Sequence, residues 1–332
     1  MKKFIGYIIR FVKEELDWKY LLFLVLFLGA AIYWAYPEAK PYVFRGKRSN
    51  WLSEFGYFGY HFILYGIPFF TAYGGYIVFK KRFDLLTNWR FWALSVFAVS
   101  IFAYRGLAGI HADLISESWT INEFPNFWRR LFRDLFRMAA AMVPVTVFWL
   151  LFDQRSTIVG EEVATNKRFS SSPYGFTLKN FNLKPYFGML AIMLPFVIGF
   201  GLTDHFGGYY PRGLKNLQYY FGMGVDPPQN LLLLFEFVYG LDFISIEYFF
   251  RGFLVIAFIR FVGPGAILPM AAFYVFIHFG KPMVETISSF FGGSLLGILT
   301  YYSRSIWGGI VVHMGIAWLM ELGAYMGSLS SS

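Results

Sequence analysis

The feature that most constrains this chain is a series of long apolar stretches separated by short polar segments. A membrane span needs about 20 mostly apolar residues to cross a hydrocarbon core of about 30 Å. Nine stretches meet or approach this requirement: 20–36, 57–79, 91–110, 136–152, 186–204, 231–260, 265–279, 284–303 and 306–326. Two of them, 91–110 and 186–204, match it less well, so eight spans are an equally good count.

The composition agrees with a membrane protein. Hydrophobic residues make up 57% of the 332 residues, aromatic residues 23% and charged residues 15%, against about 25% charged residues in a typical soluble domain. A soluble chain of this size cannot bury so much apolar surface and still cover its exterior with polar groups. No alternating pattern indicates a barrel, and helices satisfy their own backbone hydrogen bonds in lipid. The sequence therefore predicts an all-α, polytopic integral membrane helical bundle with about eight or nine transmembrane helices.

Three regions can be distinguished along the chain. Residues 1–152 begin with a predicted amphipathic helix on the membrane surface and continue into transmembrane segments. Residues 153–185 hold the longest polar stretch and predict an extramembrane loop. Residues 186–332 form the second membrane half. The connection at 105–135 contains an arginine-rich segment that predicts an amphipathic helix at the interface, beginning after Pro125. The Arg129–Arg137 cluster is expected to anchor the chain to lipid headgroups.

The charge balance and the missing cysteines exclude several functions. The net charge of +9 is explained by basic loops beside anionic lipid, so no nucleic-acid partner is expected. A slight excess of Lys and Arg on the N-terminal side favours an N-terminus inside. The absence of cysteine excludes disulfides, thiolate metal sites and a cysteine nucleophile.

Ionisable side chains within membrane spans are costly, so each one is a candidate functional residue. The last third of the chain is rich in them: Glu236, Asp242, Glu247, Arg251, His278, Glu285, His313 and Glu321. Glu247 and Arg251 lie four residues apart, so they share one helix face and can pair. A self-contained ion pair and a functional site both fit this spacing.

The depths of these residues can be estimated from the rise of an α-helix. Glu247 and His278 each lie about 20 Å from the membrane side at which residue 260 ends one span and residue 265 begins the next. Arg251 and His313 lie about 14 Å and about 11 Å from that side. The estimate therefore groups Glu247 with His278 and Arg251 with His313, within one buried polar site.

Other ionisable residues have simpler interpretations. Glu285 follows Lys281 by four residues, which favours a surface ion pair at the start of a helix after Pro282; a role in substrate or water binding is the alternative. Glu236, Asp242 and Glu321 either line the same cavity or lie at an interface. The isolated histidines predict structural or interfacial contacts: His61, His111 and His205.

Three short motifs in the last third of the chain follow a recognisable order. They are Ile246-Glu247-Tyr248-Phe249-Phe250-Arg251-Gly252, Tyr274-Val275-Phe276-Ile277-His278 and His313-Met314-Gly315-Ile316-Ala317. Residues 243–320 thereby resemble the CPBP family of intramembrane proteases, which includes CAAX prenyl endopeptidases and bacterial self-immunity (Abi) proteins. The family pattern is Glu-Glu-x-x-x-Arg, then Phe-x-x-x-His, then His-x-x-x-Asn.

The chain departs from this pattern at three positions. Ile246 stands where the family has its first glutamate, which is usually assigned as catalytic. Tyr274 replaces the phenylalanine of the second motif, and Ala317 replaces the asparagine of the third. Either Glu247 serves alone or the catalytic machinery is degraded.

The resemblance implies a catalytic set of four residues within an intramembrane protease core at 186–332. Glu247 would act as the general base on a water and Arg251 would steady it. His278 would position that water or stabilise the oxyanion, and His313 would complete the donor set. No cofactor is expected. Zn²⁺ on Glu247, His278 and His313 is the disfavoured alternative, because these ligands lack the tight spacing of a His-Glu-x-x-His site.

The leading hypothesis from the sequence is an intramembrane endopeptidase that cleaves a membrane-associated peptide or protein. The bilayer is then its other partner, the expected location is a bacterial cytoplasmic membrane, and the sequence does not encode the oligomeric state. Two alternatives are a catalytically inactive relative acting as a membrane scaffold and a proton-coupled transporter. The missing inverted repeat counts against transport.

Overall fold

The computed structural model describes residues 2–36, 54–119, 125–154, 172–179, 181–201, 210, 212 and 228–330. Every regular element within these ranges is helical, which confirms the all-α class. The main helices are α1 (Lys2–Glu14), α2 (Trp18–Ala35), α3 (Glu54–Phe79), α4 (Trp89–Ser116), α5 (Pro125–Phe148), α6 (Lys184–Gly201), α7 (Gln229–Glu247), α8 (Ile267–Phe276), α9 (Met283–Ser303) and α10 (Trp307–Ser330).

The longest apolar run, Gln229–Phe276, passes through the bundle twice. It contains 48 residues, more than one membrane crossing needs. Arg82 lies at the end of the bundle where α2 begins, and it donates a hydrogen bond to the carbonyl of Phe261. Tyr36 follows α2 at the opposite end and donates to the carbonyl of Lys281. The segment between Phe261 and Lys281 therefore runs from one end of the bundle to the other.

The number of candidate spans follows from helix length and composition. In the described part of the chain, seven helical runs are long and apolar enough to cross a membrane. One of these runs is the 48-residue segment Gln229–Phe276, and the apolar helix Lys184–Gly199 is shorter than all seven. The protein is a polytopic helical membrane bundle, as the sequence predicted.

The N-terminal helix α1 has two different faces. Phe11 is buried, and the ring of Phe4 packs 4.9 Å from the ring of Tyr186. Ile5 and Ile9 are about half exposed on the remaining surface. This distribution is that of an amphipathic helix, and its placement on the membrane surface stays a prediction.

The sequence predicted an interfacial segment up to residue 135 and a separate span from residue 136. This division is wrong, because helix α5 includes both. It begins at Pro125, as expected, but continues without a break to Phe148. Arg129 donates to the carbonyls of Ser116 and Glu117 at the end of α4, at 3.0 and 2.9 Å. Terminal helix carbonyls have no intrahelical partner, so this arginine binds protein groups that the sequence did not indicate.

A partly buried polar contact joins α4 to α7. Arg105 Nη2 lies 2.7 Å from both carboxylate oxygens of Asp242, and Ser245 Oγ donates to Asp242 Oδ1 at 2.8 Å. The sequence analysis had left Asp242 without a partner. This contact connects the first membrane half to the helix that carries Glu247.

A short turn at Pro173–Gly175 packs into the bundle. Tyr174 is buried and donates to Asp153 Oδ2 at 2.5 Å, and Arg260 forms an ion pair with the same carboxylate. The carbonyl of Gly175 accepts from the backbone N–H of Ile306 at 3.0 Å, just before α10. Residues 155–171 lie outside the described residues, so the extramembrane loop at 153–185 stays a prediction.

Removing one partner of the Arg105–Asp242 pair should destabilise the protein. Arg105→Met leaves a partly buried carboxylate without its cation, so we expect a loss of about 1–3 kcal/mol in unfolding free energy. The double variant Arg105→Met/Asp242→Leu should recover much of it. Thermal unfolding in detergent measures both. Arg10→Met, which removes an exposed pair with Glu14, is the control and should have a much smaller effect. Equal effects of Arg105→Met and Arg10→Met would contradict the prediction.

Candidate functional site

The helix that carries the first motif changes its geometry at that motif. Tyr248–Ala257 is a π-helix, and all ten of its residues are buried. Segments of this kind are rare and are found frequently at functional sites. Gly252 lets the turn at Tyr174 approach closely, since a Cβ on Gly252 would lie 2.9 Å from the Tyr174 carbonyl oxygen. The π-helix is thus packed directly against the Pro173–Gly175 turn at Gly252.

Glu247 and Arg251 form a fully buried ion pair. Arg251 Nη1 lies 2.8 Å from Glu247 Oε1, and the two side chains are 1% and 0% exposed. An isolated buried charge costs several kcal/mol, so each of these groups requires the other. The guanidinium also lies over the ring of Tyr274, 4.2 Å from its centroid, in a cation–π contact.

His313 on α10 connects the ion pair to Tyr274. Its Nδ1 lies 3.0 Å from Glu247 Oε1, and its Nε2 lies 3.0 Å from the Tyr274 hydroxyl. A carboxylate only accepts, so Nδ1 is the donor, and Nε2 of the neutral ring accepts from the hydroxyl. The ring of Phe243 packs 4.4 Å from the imidazole. Glu247 and His313 therefore form an oriented carboxylate–imidazole pair.

The approach of α10 to Glu247 depends on a glycine. A Cβ on Gly309 would overlap Glu247 Oε2. This oxygen is buried and has no hydrogen-bond partner within the described ranges. Gly309 thus has a specific role at the site, whereas a Cβ on Gly308 would meet Tyr186.

His278 lies in the turn after α8, two residues beyond Phe276. Its Nδ1 donates to the backbone carbonyl of Tyr274 at 2.8 Å, and its own carbonyl accepts from Thr286 Oγ1 at 2.9 Å. Gly280, at φ 87°, reverses the chain in a conformation that favours glycine. Because Nδ1 is the donor, the lone pair of the neutral ring is on Nε2.

These groups border a cavity of about 460 Å³. Its volume lies within the range of small-ligand sites. Most of its wall is apolar, with Met193, Phe196, Phe291, Leu295, Ile316 and Met320 among the lining residues. Four polar side chains of the motif region also line it, namely Arg251, Tyr274, His278 and His313. Glu247 does not line it and lies behind His313.

The structure brings the four predicted residues together around Tyr274. Arg251 contacts its ring, His278 its carbonyl and His313 its hydroxyl, and Glu247 contacts two of these three residues.

The depth estimate was wrong about which histidine meets Glu247, since Glu247 contacts His313. The estimate assumed straight helices along the membrane normal. His278 instead follows the end of α8, and the first motif adjoins a π-helix.

Two residues of the site were not assigned to it from the sequence. Tyr274 was noted only as a departure from the family pattern, although its four-residue spacing to His278 is that of side chains on one helix face. Glu285 pairs with Lys281 at 2.6 Å, as predicted, but its side chain is only 14% exposed and lines the cavity. The remaining acidic candidates Glu236, Asp242 and Glu321 do not line it.

The zinc alternative would place the ion on Glu247, His278 and His313. No group of three or more His, Asp or Glu side chains in the described ranges is arranged to hold a metal ion. Glu247 Oε1 and His313 Nδ1 lie at hydrogen-bond distance from each other. The expectation that no cofactor is needed stays a prediction.

The fold and the site together define a polytopic helical membrane protein with a buried Glu–Arg–His centre beside an apolar cavity. Residues 228–319 match the family model described as type II CAAX prenyl endopeptidase Rce1-like. This match contains all four predicted site residues and confirms the resemblance to the CPBP family for this part of the chain. No curated protein and no solved structure matches the chain.

Gly309→Ala should disturb the site because the added methyl group overlaps Glu247 Oε2. We expect a lower thermal midpoint, since either α10 or the Glu247 side chain must shift. Thermal unfolding in detergent measures the effect. Gly74→Ala is the matched control, because a Cβ there meets nothing within 4 Å and should raise stability by up to about 1 kcal/mol. A neutral Gly309→Ala variant would contradict the assigned close contact.

Proposed function

We propose that this protein is an intramembrane endopeptidase that hydrolyses a peptide bond of a membrane-associated substrate. The observation that carries the proposal is the cluster of two imidazoles, one guanidinium and one phenol on the wall of a mainly apolar cavity. This cluster lies within the segment that matches a protease family. The proposed location in a bacterial cytoplasmic membrane rests on the sequence resemblance alone.

His278 is the side chain best placed to accept a proton from water. Its Nδ1 is committed to the Tyr274 carbonyl, so Nε2 carries the lone pair, and the side chain lines the cavity. A neutral imidazole is the usual general base near neutral pH. His278 therefore takes the base role that the sequence analysis gave to Glu247.

The second set of groups is suited to stabilising negative charge on the substrate. Arg251 lines the cavity, and its Nε has no hydrogen-bond partner in the described ranges. The Tyr274 hydroxyl donates to His313 Nε2 in the structure, and it joins the donor set by turning from that nitrogen to the substrate oxygen. Donors fixed in a water-poor cavity stabilise a tetrahedral oxyanion strongly. Glu247 acts through His313 and is therefore a positioning residue in this proposal.

The geometry favours an enzyme over the two alternatives. In a degraded site we would expect the polar groups to have lost their mutual contacts, yet Glu247, His313 and Tyr274 are connected by contacts of 3.0 Å. A transporter needs a continuous polar path, whereas the cavity wall away from the cluster is mainly apolar.

Peptide cleavage by the purified protein tests the proposal. The family description suggests a farnesylated peptide with a C-terminal CAAX sequence as the probe, with the same peptide without the prenyl group for comparison. We expect release of a C-terminal fragment, detected by mass spectrometry, from at least one of the two peptides. His278→Gln and His313→Gln should each lower kcat/KM by about 10²–10⁴-fold.

The matched control is Glu236→Gln, which changes a carboxylate on α7 that does not line the cavity. Thermal midpoints of all variants establish that they are folded. Cleavage that persists unchanged in both histidine variants would disprove the proposed site, and the absence of cleavage of either peptide by the wild type would count against the proposed activity.

The proposed mechanism also predicts that cleavage is independent of a bound metal. In this mechanism a histidine, and not a metal ion, activates the water. Activity should therefore be unchanged after dialysis against EDTA, and the active protein should carry no stoichiometric zinc by elemental analysis. Loss of activity on chelation that returns with added Zn²⁺ would contradict this mechanism.

A further inference from the structure

A second carboxylate lies beside His278 at the cavity. Glu285 is near the start of α9, and its Oε1 is 3.9 Å from His278 Nε2. This separation is too long for a direct hydrogen bond. It is a separation that one bridging water can span while it bonds to both groups. Both side chains line the cavity.

Glu285 is held in place by its neighbours. Lys281 Nζ lies 2.6 Å from its Oε1, and the Tyr210 hydroxyl donates to its Oε2 at 3.2 Å. An ionised carboxylate accepts up to about four hydrogen bonds, so these two contacts leave lone pairs for a water.

Glu247 is less suited to contact a nucleophilic water in the cavity. Its Oε1 is engaged by Arg251 and His313, its Oε2 lies against Gly309, and its side chain does not line the cavity. The position that carries the other glutamate of the family pattern is Ile246 here. Glu285 is the carboxylate that lines the cavity next to His278.

We propose that Glu285 is a catalytic residue that holds the nucleophilic water against His278 Nε2. The inference rests on the proposed function and names the carboxylate of that same site. One proton of the water is transferred to His278 Nε2 while its oxygen attacks the scissile carbonyl carbon, and the carbonyl electrons move to the oxygen as an oxyanion. Glu285 accepts the hydrogen bond of the second water proton and stabilises the imidazolium.

The second half of the reaction returns the proton. The oxyanion re-forms the carbonyl as the C–N bond breaks, and His278 Nε2–H donates its proton to the leaving nitrogen. The products are a carboxylic acid, which ionises, and an amine. His278 ends in its starting form, and Glu285 does not change its protonation state.

A purely structural ion pair between Glu285 and Lys281 is the alternative. The two explanations predict different behaviour for the two partners. If the pair only fixes the turn, Lys281→Met and Glu285→Gln should have similar effects on activity and on thermal stability. If Glu285 holds the water, Glu285→Gln should lower kcat far more than Lys281→Met does.

The test is steady-state cleavage of either the farnesylated CAAX peptide or its unprenylated counterpart. The peptide that the wild type cleaves better is used for all variants. We expect Glu285→Gln to lower kcat by about 10²-fold or more, with little change in KM, because the lost interaction acts in the transition state. Glu285→Asp should restore part of that loss. Glu236→Gln is the matched carboxylate control and should leave both constants unchanged.

The outcomes separate this inference from the proposed function. If Glu285→Gln retains wild-type kcat while His278→Gln is inactive, the role of Glu285 is disproved and the peptidase remains. Equal losses of kcat in Glu285→Gln and Lys281→Met would also overturn it, in favour of the structural ion pair. If the wild type cleaves neither peptide, the proposed function fails and the inference fails with it.

Discussion

The buried ion pair between Glu247 and Arg251 is the interaction on which the rest of the site depends. Two charges with 0% and 1% exposure are tolerated only when they are paired and receive further polar contacts. His313 supplies one such contact to the carboxylate, and the face of the Tyr274 ring receives the guanidinium. The pair therefore fixes the relative positions of the π-helix, α8 and α10. The carboxylate of Glu247 holds Arg251 in place and orients His313.

Because Glu247 is engaged inside the bundle, other side chains supply the reactive groups at the cavity. Arg251 and His313 engage Glu247 from inside the bundle, so the motif groups that face the cavity are the two imidazoles, the guanidinium and Tyr274. A histidine oriented by a carboxylate on one ring nitrogen is a common way to define which nitrogen exchanges protons. In His313 the orienting group is Glu247, and in His278 it is the carbonyl of Tyr274.

The sequence predicted the elements that depend on local patterns. Apolar runs predicted the spans, and the spacing of Glu247 and Arg251 predicted their pairing, because both are properties of a single helix. The partner of Glu247 across the bundle was predicted incorrectly, since it depends on the π-helix and on how closely Gly309 lets α10 approach. The position of Glu285 stayed open between a surface pair and a role in substrate or water binding, because its four-residue spacing to Lys281 is also typical of an exposed pair. Only the packing of the His278 turn against α9 brings it to the cavity.

The two carboxylates have different environments and can do different work. Glu247 is balanced by a fully buried arginine 2.8 Å away, so its interactions change little when charge moves in the cavity. Glu285 lies at the cavity beside His278, where a positive charge develops when that imidazole accepts a proton. An interaction accelerates a reaction only if it is stronger in the transition state than in the ground state. By that criterion Glu285 acts as the catalytic carboxylate in the proposed mechanism, whereas Glu247 contributes only by orienting His313.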